Sequence, residues 1–189
     1  PRSTHCISSA ASDVYKRQRR ETVALFPTCL VEYQDTQVGK DVVGVYEHNG
    51  IECTLPPGQR CCGAPALHQG DLPAFRRDAE RNVEVLSEAI DEAAARGEDL
   101  KVVVAQPTCG FVLKQDYPDY LGSPEAQKVA AHTVDAADHL VTIHKSEGPG
   151  LDTDFGGDVP EKVTYHAPCH LRAQNLSLIH ISEPTRPLY

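Results

Sequence analysis

No apolar run in this 189-residue chain approaches the length needed to cross a bilayer. No export pattern of charged, apolar and small residues stands at its start. Positive charge is scarce: 18 Lys and Arg against 27 Asp and Glu leave a net charge of −9, which argues against a nucleic-acid partner. A Gly-rich phosphate-binding fingerprint is missing, so neither a nucleotide nor a flavin site is expected. Asp152, Asp154 and Asp158 lack the EF-hand positions and its closing Glu, and read as a solvated linker. The segment "HAPCH" (166–170) lacks the first cysteine of C-x-x-C-H, which rules out covalent haem; a histidine bonding a strand end is the ordinary reading of His166 and His170. What the chain does have is seven cysteines. Without an export pattern they point away from a disulfide scaffold and toward cytosolic redox or metal chemistry.

The two ends show no hydrophobic period. "PRSTHCISSAASDVYKRQ" (1–18) and "LSLIHISEPTRPLY" (176–189) read as non-native, adaptor-like segments, and Cys6 is set aside with the first. Between them "ETVALF" (21–26) predicts a buried strand, and "IECTL" (51–55) alternates like a strand through Ile51, Cys53 and Leu55. Residues 31–50 place Val31, Val38, Val42, Val45 and Tyr46 near helical spacing and close with Asn49-Gly50, a helix stop. Residues 71–97 form the clearest helix, with Asp71 as N-cap and an apolar stripe of Phe75, Ala79, Val83, Leu86, Ile90 and Ala94. Its wet face carries Glu80, Glu84 and Glu88 with Arg76, Arg77 and Arg81, supported by i,i+4 pairs. "LKVVVAQ" (100–106) is a further buried strand, residues 109–121 and 124–145 are helical, 147–160 form an acidic loop, and "KVTYH" (162–166) is a last strand. Strands alternating with helices predict an α/β layered fold with a mostly parallel sheet. In such folds ligands gather at the carboxyl ends of the strands.

The cysteines fall at those ends. "LFPTC", "AQPTC" and "YHAPC" each run from strand through proline to a cysteine heading a helix: Cys29, Cys109 and Cys169. Helix-start amides stabilise a thiolate there. In "QRCCGAPA" (59–66), Cys61 and Cys62 are adjacent. They are poor disulfide partners, since consecutive Cα atoms sit about 3.8 Å apart and disulfides want roughly 4.4–6.8 Å. Gly63 allows a tight turn with both sulfurs facing inward. Cys53, inside an alternating strand, reads as a small core residue. Several thiolates on one rim suit an iron–sulfur centre; tetrahedral zinc is the competitor. Thirty-one residues separate Cys29 from Cys61 and forty-six separate Cys62 from Cys109, unlike the compact pairs of zinc ribbons, which favours the cluster.

Cys29 … Cys61-Cys62-Gly63 … Cys109 resembles the cysteine-rich CCG domain found in the B subunit of heterodisulfide reductase, in the glycolate oxidase iron–sulfur subunit and in the C subunit of anaerobic glycerol-3-phosphate dehydrogenase. The likeness runs through "VALFPTCL", "CCGAPAL", "PTCGFVLKQDYPDYLG" and "VTYHAPCHLRAQN", and covers most of 22–175. The "KQDYP" helix and the "H-x-P-C-H" opening look most like the glycerol-3-phosphate dehydrogenase branch. The resemblance implies a first CCG repeat over 19–160 and the start of a second over 161–175. It implies an iron–sulfur cluster, of 4Fe–4S type, held by Cys29, Cys61, Cys62, Cys109 and Cys169, with no catalytic residue in this chain. It further implies a flavoprotein dehydrogenase partner, a membrane quinone or membrane-anchoring partner as electron acceptor, and a cytoplasmic place peripheral to the inner face of the membrane. One feature departs from the pattern. A repeat usually ends in C-x-x-C, and here position 112 is Val, so this repeat alone cannot supply five thiolates. The rival functions are a heterodisulfide-reductase-type catalytic subunit and a zinc-stabilised structural module.

Overall fold

The computed structural model describes residues 21–146, 150–154 and 167–176. Four parallel strands, β1 (Glu21–Leu25), β2 (Ile51–Thr54), β3 (Lys101–Val104) and β4 (Thr133–Asp135), lie in the order β2-β1-β3-β4. The helices are α1 (Thr36–His48), α2 (Ala64–His68), α3 (Leu72–Ala95), α4 (Pro107–Phe111), α5 (Tyr117–Leu121), α6 (Pro124–His132), α7 (Ala136–Lys145) and α8 (Cys169–Ala173). Wider π turns occupy Leu30–Gln34 and Val112–Asp116, the latter joining α4 to α5. The predicted α/β layered fold with a parallel sheet is what forms.

Helices cover both faces of the sheet, which is why β3 reads as an unbroken apolar run rather than an alternating one. Its neighbours still part by face. Val102 and Val104 join Phe75, Ala79, Val83, Leu86 and Ile90 of α3 and Val129 of α6 in the larger core. Val103 instead packs with Val23, Ile51 and Tyr46 of α1, with Leu140 and Ile143 of α7 alongside. Cys53 borders this second core, as its strand spacing predicts.

The strand order places the switch point between β1 and β3. The chain leaves β1 for β2 on one side and returns to β3 on the other, so the loops above β1 and β3 diverge and leave a crevice at their carboxyl ends.

Several sequence expectations shift. The predicted helix 31–50 begins only at Thr36, because Asp35 breaks the backbone (φ −141°, ψ 84°) and caps α1 by accepting from the Gln37 N–H at 3.2 Å. Among its apolar positions Tyr46 is fully buried, whereas Val45 is exposed. β2 stops at Thr54, so Leu55 leaves the sheet before its turn to pack and is 62% exposed. In α3 the stripe closes on Ala93 rather than Ala94, since the 3.6-residue period drifts back one position after Ile90. The helix predicted over 124–145 is two helices with β4 between them, Asp135 capping the second by accepting from Ala137 and Asp138 N–H groups. On the wet face of α3 Arg81 pairs with Glu84, three residues apart at 2.7 Å, and Arg77 lies 3.8 Å from Asp78. The strand predicted at 162–166, with His166, and Asp158 lie outside the described residues.

Candidate metal centre

The crevice at the switch point is lined with sulfur. Cys29 follows β1 at the head of the first π turn, and Cys109 follows β3 in the first turn of α4, whose opening residue is Pro107. Cys61 and Cys62 arrive from the loop after β2. Gly63 follows at φ 88°, a left-handed conformation that starts α2, and a Cβ there would meet Phe75 Cδ2 at 2.7 Å. The loop therefore lies close against α3, with both thiols on its inner side.

The four sulfurs form a row. Cys29 Sγ stands 4.0 Å from Cys61 Sγ, and the thiols of Cys61 and Cys109 each influence the ionisation of Cys62 between them. Cys62 and Cys109 are each 2% exposed, while Cys29 and Cys61 are half-buried toward the surface. Cys109 Sγ also donates to Gln106 Oε1 at 3.0 Å. The backbone N–H groups of Leu30, Gly63 and Ala64 favour the charged forms of Cys29, Cys61 and Cys62 respectively.

These amides do not make free thiolates. Burial, then the neighbouring Cys61, raises the Cys29 pKa. The bond to Cys62, then burial, drives Cys61 well above the ordinary thiol range. The bond to Cys109, together with burial, pushes Cys62 up to about 12 against the pull of Cys61 and the Ala64 N–H. The thiolate expected of Cys29 at a helix start is thus outweighed: without metal Cys29, Cys61 and Cys62 hold their protons, and a metal must displace them to bind.

A polar clamp holds the double cysteine from below. Asn82 of α3, fully buried, shares its two Nδ2 hydrogens among the carbonyls of Arg60 (3.2 Å) and Cys61 (3.0 Å) and Tyr117 Oη (2.9 Å), and its Oδ1 accepts from the Arg60 N–H (2.7 Å). Tyr117 in turn donates to the Cys62 carbonyl at 3.1 Å. Reading the sequence passed over Asn82; the available signal was a polar residue on the same arc of α3 as Ala79 and Leu86.

Cys169 is exposed at the first turn of α8. α8 docks on α4: His170 Nδ1 lies 3.0 Å from Thr108 Oγ1, Gln174 donates to the Pro107 carbonyl at 3.1 Å, and the His170 ring packs 5.1 Å from that of Phe111. His170 thus bonds the start of a helix where a strand end was expected. Cys53 sits apart, half-buried, its pKa raised to about 11 by burial and then by Glu47 and Glu52. Asp152 of the acidic segment pairs with His48 at 3.0 Å.

The donor set is therefore four sulfurs with no carboxylate among them. Among the described residues no group of three or more His, Cys, Asp or Glu side chains is placed to hold a metal ion as it stands. Four thiolates are the usual complement of an iron–sulfur cluster. Among the described residues no helix is long and apolar enough to cross a membrane.

Comparison with known proteins agrees with the sulfur pattern. Residues 23–114 match the CCG family, described as the cysteine-rich domain. Over 161 residues the chain is 30% identical to the C subunit of anaerobic glycerol-3-phosphate dehydrogenase from Escherichia coli K12, covering 85% of this chain and 38% of that protein. Over 154 residues it is 33% identical to lactate utilization protein A of Geobacillus thermodenitrificans, covering 79% of this chain and 57% of that protein. The lactate utilization protein A of Bacillus licheniformis is 32% identical over 154 residues, with 58% of its length covered. The chain thus spans well under two thirds of each of these relatives. No solved structure matches.

Proposed function

The chain belongs, through residues 23–114, to the CCG cysteine-rich domain family, and from that premise we propose that it is part of an iron–sulfur electron-transfer subunit of a dehydrogenase complex. The observation that carries the reading is the row Cys29–Cys61–Cys62–Cys109 at the switch-point crevice. These four thiolates would hold an iron–sulfur cluster of 4Fe–4S type, which when bound supplies reversible one-electron storage. The chain's own part is to deliver the sulfurs on four loops, exclude water from Cys62 and Cys109, and aim the Leu30, Gly63 and Ala64 amides at the ligands. Low exposure and such hydrogen bonds are the levers that set a cluster's potential.

Electrons would enter from a flavoprotein dehydrogenase and leave toward a membrane quinone, with the complex on the cytoplasmic face of the membrane. Relatives named for anaerobic glycerol-3-phosphate dehydrogenase and for lactate utilization support a dehydrogenase partner, and glycerol 3-phosphate is the substrate we assign to it. Residues 19–160 would form the first CCG repeat. Residues 161–175 would open a second, to whose site exposed Cys169 belongs. Substrate chemistry would stay on the partner.

The test is reduction. Dithionite should bleach the visible absorption of the anaerobically purified chain, and a soluble quinone analogue should restore it. Turnover of a disulfide substrate without any flavoprotein would support the heterodisulfide-reductase type instead. Bound zinc without a chromophore would support the structural module.

A further inference from the structure

Tyr117 and Asn82 lie fully buried under the double cysteine. Hydrogen count fixes the direction of their bonds. The single Tyr117 hydroxyl hydrogen goes to the Cys62 carbonyl, so the same oxygen must accept from Asn82 Nδ2. Asn82 is itself oriented by the Arg60 N–H on its Oδ1. The chain of donors runs Arg60, Asn82, Tyr117, Cys62.

A trans peptide is a rigid plane whose C=O and N–H point in opposite directions. The Cys62 carbonyl and the Gly63 N–H belong to one such plane. Tyr117 holds the oxygen toward the core, so the Gly63 N–H points the opposite way, and that amide favours the charged form of the Cys61 sulfur. The left-handed φ of Gly63, with no Cβ to strike Phe75, lets the plane sit so close to α3.

We infer that Tyr117 is a positioning residue: its hydroxyl, anchored by Asn82, sets the Cys62–Gly63 peptide so that the Gly63 N–H donates to the Cys61 sulfur, and in the loaded site this donor raises the reduction potential. The second half rests on the iron–sulfur reading above; the first half stands on this chain alone. The sign follows from charge. Reduction adds negative charge to the ligand sulfurs, a donor stabilises that charge, and its loss lowers the potential.

Tyr117→Phe keeps the ring and removes only the hydroxyl. Tyr46→Phe is the control: that ring is equally buried on the other face of the sheet, where its hydroxyl donates to the Ala136 carbonyl at 3.1 Å. In the metal-free full chain, Gly63 amide exchange measured by NMR should quicken at least tenfold in Tyr117→Phe and stay unchanged in Tyr46→Phe. The Val103 amide of the central strand reports any global loss of stability, and the Gly63 rate is taken relative to it. In the loaded chain, a redox titration at equal iron and sulfide content should show the potential of Tyr117→Phe lowered by up to a tenfold shift in the reduced-to-oxidised ratio, about 59 mV for one electron. Gly63 exchange that is unchanged, or equally faster in both variants, overturns the orientation. An unchanged potential overturns the tuning. Absence of iron and sulfide from the wild-type chain refutes the iron–sulfur reading instead, and the exchange measurement still decides the orientation.

Discussion

The sulfur atoms of Cys29 and Cys61 lie 4.0 Å apart although thirty-two positions separate them in the chain. One follows β1 and the other follows β2, and only the parallel pairing of those strands brings their ends together. The contact therefore reports the fold and the site at once. Replacing Cys29 by Ser keeps the shape and removes a ligand, and should lower bound iron at least several-fold. Cys53→Ser, at the edge of the second core, should leave iron content unchanged. Equal iron in Cys29→Ser and wild type would remove Cys29 from the ligand set.

Cys169 provides the complementary case. It is exposed on α8, so Cys169→Ser should retain the iron and sulfide of the wild-type chain. Their loss would return Cys169 to the site as a fifth ligand or as a replacement for one of the four.

Gly63 makes a stability prediction independent of any metal. An alanine there must take a left-handed backbone and place its Cβ against Phe75. Left-handed strain of about 1–2 kcal/mol and overpacking of about 1–3 kcal/mol should together shift the urea midpoint sharply downward. Gly122 also has positive φ (66°), but open space surrounds it, so Gly122→Ala should cost only the backbone strain. Equal loss in the two would mean that the Phe75 approach does not matter.

His139 makes a pH prediction. It is buried against Tyr46, whose hydroxyl lies 3.2 Å from its Nδ1, and burial followed by the Lys101 charge holds its pKa below the ordinary histidine value. That balance prevails over Asp138 and with Glu21 Oε1 at 3.4 Å from Nε2. As pH falls below about 6.5 the unfolded chain takes up this proton first, and the folded chain only at lower pH. Stability present above that pH should therefore decline through the window between the two values. Denaturation midpoints compared at pH 7.5 and 5.5 should fall less in His139→Gln than in wild type. A parallel fall in both would assign the acid sensitivity elsewhere.

How legible was this in the sequence? β3 and α3 were, because "KVVV" and the Phe75-to-Ile90 stripe each carry one period without interruption. β4 was not: three residues, Thr133–Asp135, lie between Ala-rich segments whose spacing suits a helix, and its pairing with β3 is tertiary information. The late start of α1 was marked only by Asp35, a cap residue overlooked inside an apolar pattern. The cysteines were legible as rim residues because each follows a strand and a proline. Their order in the row was not, since it depends on how the Cys61-Cys62 loop is pinned by Asn82 and Tyr117, two residues distant in sequence from it and from each other. The raised thiol pKa values also escaped the reading, because burial and sulfur neighbours outweigh the helix-start amides only once the loops converge.

The central claim is that the sulfur row holds an iron–sulfur cluster. It is tested most directly by measuring iron, zinc and acid-labile sulfide in the anaerobically purified chain beside Cys62→Ser, which alters the thiol that Cys61 and Cys109 both influence. Iron with matching sulfide in wild type, lost in Cys62→Ser, is the result this account predicts. Zinc in place of iron, or iron and sulfide undiminished in Cys62→Ser, would contradict it.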